Sequence, residues 1–208
     1  MLELGGGDNP HPLCDVNCDV RPGPKVHFQA DFEEPLPIKD DDFEIVFCQY
    51  TLEHITWRKI PQFLREVYRV LKLGGKAVFV TPNTEAQIRW IVNHPEGWDS
   101  KVFFESASEI LFGSQDYLEN SHRCYLSSSV LHDLFTSSGF ESVQVKEYGA
   151  RLTDLLVTAV KSSKTPLPVN VSAESTQSPL EPPKSSVNVL GTNVNATEQK
   201  NKEPLPEF

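Results

Sequence analysis

The sequence predicts an α/β fold built on one largely parallel sheet. Two observations carry that expectation. Short apolar runs alternate with stretches of helical period along residues 1–161, and the first run passes straight into three glycines. The chain of 208 residues is 38% hydrophobic, enough for one ordinary core.

The elements follow in order. Leu2–Leu4 is the first strand, ending in Gly5-Gly6-Gly7. Val16–Val20 and Val26–Ala30 are the second and third, Glu44–Cys48 the fourth, and Lys76–Thr81 the fifth. Ser142–Tyr148 and Thr153–Lys161 close the domain. Between strands four and five, Ile60, Phe63, Leu64, Val67, Val70 and Leu71 recur at steps of three and four, one apolar stripe of a helix. Thr56 is placed to cap it, Pro61 falls in its first turn, and Gly74-Gly75 are expected to stop it. A second helix over Ser127–Ser138 carries Val130, Leu131, Leu134 and Phe135 and ends at Gly139.

Composition changes after Lys161. Residues 162–208 are rich in Ser, Pro, Asn, Thr and Glu, with Phe208 the only aromatic, and are expected to form a disordered tail. The tail carries a net charge of only -1, so about -9 of the chain's -10 belongs to the folded part. An acidic domain is a poor partner for nucleic-acid phosphates. The sequence has no signal-peptide pattern and no apolar run of the ~20 residues that span a bilayer. A cytoplasmic protein with reduced cysteines is therefore expected. Cys14 and Cys18 are too isolated for a zinc site, and no metal is expected. Asn170 and Asn195 head glycosylation triplets that are chance matches in such a chain.

A glycine turn after the first strand marks a nucleotide site at the carboxyl end of the sheet. Only Asp8 to Asp15, with Pro10 and Pro12, separate the glycines from the second strand. A full helix does not fit there, so the first helix is abbreviated. A pyrophosphate wants a helix N-terminus. A ligand without phosphates, such as S-adenosylmethionine, suits the turn better. Asp19 ends strand two, where a carboxylate can accept both ribose hydroxyls. Asp31 ends strand three, where it can accept from an adenine amino group, with Phe32 offering an apolar face.

The run Leu-Glu-Leu-Gly-Gly-Gly, then Asp19, Asp31, Tyr-Thr-Leu-Glu-His (50–54) and Leu-Arg-Glu-Val-Tyr-Arg-Val-Leu-Lys-Leu-Gly-Gly-Lys (64–76) resembles the class I S-adenosylmethionine-dependent methyltransferases. It is most similar to the small-molecule type that includes the ubiquinone-biosynthesis enzymes. The resemblance implies a seven-stranded Rossmann-like sheet of order 3-2-1-4-5-7-6 with the last strand antiparallel. It implies that Gly5 and Gly7 line the methionine part of the cofactor with Glu3 beneath them. Asp19 would take the ribose, Asp31 and Phe32 the adenine, and Gln49 would lie beside the sulfonium. S-adenosylhomocysteine would be the product. Three departures stand out: Asn9 occupies the third-glycine position, the helix after strand one is short, and Leu73 replaces a common proline. The chain also opens on strand one, without the N-terminal helix that often covers the cofactor.

Methyl transfer needs in-line positioning and, for some acceptors, a base. His54 is the nearest candidate base, with Tyr50 a second, and either is equally a residue that orders its loop. Residues 83–126 carry Trp90, Trp98, Phe103, Phe104, Phe112 and Tyr117, dense enough for a lid or acceptor pocket, or simply for packing on the sheet edge. His122 and Arg123 lie in the same segment. Strand four ends Cys-Gln-Tyr-Thr, without the Asp/Asn-Pro-Pro-aromatic of amino-methylating DNA enzymes, and there is no Pro-Cys nucleophile. The expected acceptor is a small molecule or glycan-type metabolite, methylated at O, N or C. The alternatives are a catalytically idle cofactor-fold interaction module and an RNA or protein methyltransferase.

Overall fold

The computed structural model describes residues 1–149 and 153–163. The expected tail falls outside the described residues, apart from Ser162 and Ser163. Seven strands are present: β1 Leu2–Leu4, β2 Val16–Asp19, β3 Phe28–Gln29, β4 Phe43–Gln49, β5 Leu71–Pro82, β6 Glu141–Tyr148 and β7 Asp154–Val160. They form one sheet of order β3-β2-β1-β4-β5-β7-β6, the order expected. The first five strands run parallel, and β7 is antiparallel to both β5 and β6.

Among the described residues four α-helices accompany the sheet: α1 Ile60–Val70, α2 Thr84–Val92, α3 Lys101–Phe112 and α4 Ser128–Ser137. The stripe on α1 is buried as expected, with Tyr68 added to it. Pro61 sits in its first turn, but the cap is Lys59 and makes no side-chain cap bond. Thr56 is engaged elsewhere, its amide donating to Glu33 Oε1 at 2.9 Å. Nor do the glycines end the helix. Leu71 is already extended, and Gly74-Gly75 lie within β5, where Gly74 N–H donates to the Lys161 carbonyl and Lys161 N–H to that of Gly75. α4 is capped by Ser127, whose hydroxyl accepts from Val130 N–H at 3.4 Å.

Along β4 and β7 buried and more exposed residues alternate, so one face of the sheet is the better covered. On the covered side Phe63 of α1, Phe79 of β5, and Phe135 and Phe140 around α4 form a continuous ring-to-ring core. The β1–β2 and β2–β3 crossovers contain turns and no helix, and Ile45 of β4 remains 38% exposed. The conspicuous block before β5 has a structural explanation. Arg69 donates to the carbonyls of Leu36 and Ile38, to Asp40 and to both oxygens of Glu66, and Leu36 N–H donates back to Glu66. Its Glu and Arg therefore clamp the 36–40 connection onto α1.

Candidate functional site

A cavity of about 370 Å³ opens at the carboxyl ends of β1, β2, β3 and β4. That size falls within the range of small-molecule sites. Gly5, Asp19, Asp31, Phe32, Tyr50 and His54 all line it. The reason is shared: each lies at or just beyond a strand end on the same rim.

The glycine turn is held from below. Gly7 N–H donates to Asp19 Oδ2 at 2.9 Å, and the Gly7 carbonyl accepts from Asn17 Nδ2 at 2.8 Å. Asn17 is fully buried, and a single polar residue inside a short strand carries no local pattern that marks it. Asp19 is 5% exposed, and its Oδ1 accepts from Arg21 N–H at 2.8 Å. Two accepted bonds leave lone pairs on both oxygens, so a diol can still be taken up. Asp31 is exposed and accepts from Glu33 N–H, while Phe32 is buried with its ring 5.6 Å from that of Phe63.

Three residues assigned by resemblance stand outside the cavity wall. Glu3 is buried and accepts from His11 N–H at 2.6 Å, bracing the turn; burial raises its carboxyl above the usual range. Gly7 is one step removed, through its bond to Asp19. Gln49 is exposed and is not brought to the cavity. Tyr50 takes a left-handed backbone (φ 48°) immediately after it, and Tyr50 and Thr51 line the wall instead. Tyr50 Oη donates to Asp154 Oδ2 at 2.8 Å, and burial together with Asp154 pushes the phenol up to about 12.

The 113–126 segment closes the remaining side, supplying Tyr117, Glu119, Asn120 and Arg123. The Arg21 guanidinium lies 3.9 Å over the Tyr117 ring, and Arg123 Nη1 reaches Glu33 Oε1 at 3.3 Å. Tyr117 is thus the one aromatic of those expected as a lid that borders the cavity. Trp90, His94 and Phe103 pack on one another, and α2 and α3 have no fully buried residue. Tyr117→Ala should cost about 0.5–1 kcal/mol while markedly speeding amide exchange in residues 113–123. Unchanged exchange there would show that the stack does not hold the segment.

His54 is half-buried, with its Nδ1 3.2 Å from the Ser121 carbonyl. Its ring lies 5.2 Å from that of His122, and burial lowers both imidazoles below their ordinary range. Beside them Glu53 is 3% exposed. Burial raises its carboxyl to about 8, with Asp154 adding to the rise, and its Oε2 has no hydrogen-bond partner. Glu53 was not singled out from the sequence, because its burial and missing partner are properties of the folded chain alone.

Residues 14–79 match the family model described as a methyltransferase domain. The chain is 29% identical over 150 residues to a ubiquinone/menaquinone biosynthesis C-methyltransferase of Desulfotalea psychrophila, covering 70% of this chain and 59% of that one. It is 27% identical over 161 residues to a chloroplastic 2-methyl-6-phytyl-1,4-hydroquinone methyltransferase of Oryza sativa, covering 72% and 41%. The chain thus spans about half the length of these curated relatives. Among solved structures it is similar in fold to a Thermotoga maritima S-adenosylmethionine-dependent methyltransferase, at TM-score 0.52 and 21% identity over 77% of this chain and 80% of that one. The fold and strand order are those of class I methyltransferases, and the matched segment 14–79 is similar to their methyltransferase domain. In sequence the chain is similar to quinone-biosynthesis methyltransferases.

Among the described residues, no helix is long and apolar enough to cross a membrane. All four cysteines are free.

Proposed function

We propose that this chain binds S-adenosylmethionine in the rim cavity and transfers its methyl group to a small hydroquinone-type acceptor. The observation that carries the reading is the donor set: Asp19 and Asp31 at consecutive strand ends beside Phe32, on a glycine turn that no helix follows. That set fits a phosphate-free nucleoside. Asp19 accepts the ribose hydroxyls, Asp31 the adenine amino group, and Phe32 covers the base. The bound sulfonium supplies an activated methyl. The chain itself supplies position and exclusion of water, with Arg21, Tyr117 and Arg123 closing the cavity over it. His54 is the residue on this wall that engages the acceptor.

The hydroquinone acceptor is supported by what the named relatives act on and by the acidic lining. Asp19, Asp31, Glu33 and Glu119 outnumber Arg21 and Arg123, which is unfavourable for a nucleic-acid backbone. Transfer of a labelled methyl group to a short-chain hydroquinone, compared with total RNA and total protein, tests this choice; label appearing only in RNA or protein refutes it.

Calorimetry with S-adenosylhomocysteine tests the site. Asp19→Asn should weaken binding about 10- to 100-fold, the loss of a charge-assisted pair of hydrogen bonds. Unchanged affinity would remove Asp19 from the site. No binding by a folded wild-type chain would refute the whole reading.

A further inference from the structure

The cluster of Glu53, His54 and His122 is not explained by holding a nucleoside. One ligand-competent atom from each lies within 4.8 Å of the others. Two imidazoles and a carboxylate are a donor set for a first-row transition ion. The geometry points to a binding site for one divalent first-row transition cation, formed by Glu53, His54 and His122 against the wall of the cavity.

Three independent features support it. First, the His54 imidazole is held by backbone through one nitrogen. His54 Nδ1 faces the Ser121 carbonyl at 3.2 Å. Such outer partners fix the tautomer of a metal-bound histidine and leave its other nitrogen as a donor. His54 Nε2 lies 4.0 Å from Glu53 Oε1, too far for a hydrogen bond. Second, Glu53 Oε2 is buried with no partner, a costly arrangement that an ion would relieve. Third, His54 also lines the cavity, so an ion held here has a face toward a bound acceptor.

The spacing is close to what coordination needs. With bonds of about 2.1 Å, ligand atoms stand roughly 3 Å apart when adjacent and about 4.2 Å apart when opposite. Small side-chain rotations close the cluster from its present spread. Nitrogen donors favour manganese, iron, cobalt or zinc over magnesium and calcium. The use of the site rests on the methyl-transfer reading above: an acceptor hydroxyl placed against the ion would lose its proton more readily, which activates a phenol for methylation.

The test uses the untagged full chain after chelator treatment. Titration with Co(II) should give visible absorption bands saturating at one ion per chain, and calorimetry with Zn(II) and Mn(II) should give the same stoichiometry. Glu53→Gln and His122→Asn, each checked for folding by circular dichroism, should weaken binding by at least about 10-fold. Absence of both bands and heat at 100-micromolar ion (~0.1 mM, a weak-binding limit) overturns the proposal. So does binding that survives both substitutions. S-adenosylhomocysteine is titrated into the same sample. Its binding without metal binding overturns the ion site alone. Metal binding without it leaves the site standing and refutes the methyl-transfer reading.

Discussion

Lys161→Met is expected to destabilise the domain by about 2–4 kcal/mol, although Lys161 is far in sequence from most of what it holds. Its ammonium is almost fully enclosed. Nζ donates to the Leu71 carbonyl at 2.7 Å, to Asp41 Oδ1 at 2.7 Å and to the Arg69 carbonyl at 3.3 Å, and lies 5.1 Å from the Tyr68 ring centre. These contacts fasten the end of β7 to the junction where α1 becomes β5, replacing the helix cap that the glycines do not provide. Methionine reproduces the apolar stem, one atom short of the ammonium, and leaves a buried carbonyl without its donor. Asp41 is half-exposed, so the carbonyls carry most of the effect. Lys72→Met is the control. Lys72 meets Glu44 at 3.3 Å on the surface, and an exposed pair is worth about 0–1 kcal/mol. Urea denaturation of both variants decides the matter. Equal losses would show that the buried ammonium is no more than a surface charge.

The elements legible in the sequence were those whose pattern is local. The glycine turn, the α1 stripe and the alternating strands each follow from spacing a few residues apart. α2 and α3 were read only as an aromatic-rich connection, because neither presents the continuous buried stripe that marked α1. The same division runs through the site. Asp19, Asp31, Phe32 and His54 reach the cavity because the end of a strand in this fold is the rim of the site. Gln49 ends a strand too, yet the left-handed turn at Tyr50 carries the wall past it. Arg21 meets Tyr117, and Glu53 and His54 meet His122, only when segments about 70–100 residues apart close on each other, and pattern has no access to that distance.

Gly5→Ala should combine the largest structural penalty in the site with loss of ligand, and the two can be separated. Gly5 has φ 84°, a conformation that costs an L-residue about 1–2 kcal/mol. A Cβ there would also fall on Thr51 Oγ1, with Thr51 Cβ and Cγ2 each at 2.9 Å. Thr51 cannot swing away freely, since its hydroxyl donates to the Gln49 carbonyl at 3.1 Å and approaches that of Leu4. Strain and collision together should cost about 2–4 kcal/mol in stability. Thr51→Ala would not relieve it, because the Thr51 Cβ is itself too close, whereas Thr51→Gly removes the three nearest atoms. In that background the cost of Gly5→Ala should fall to the backbone strain alone, about 1–2 kcal/mol. A cost below 1 kcal/mol in the otherwise unaltered chain would mean that the turn relaxes freely. Affinity for S-adenosylhomocysteine, measured at a temperature where every variant is folded, should fall with Gly5→Ala in both backgrounds. Relief of the collision restores stability, but it does not take the added methyl group out of the turn that borders the proposed ligand site.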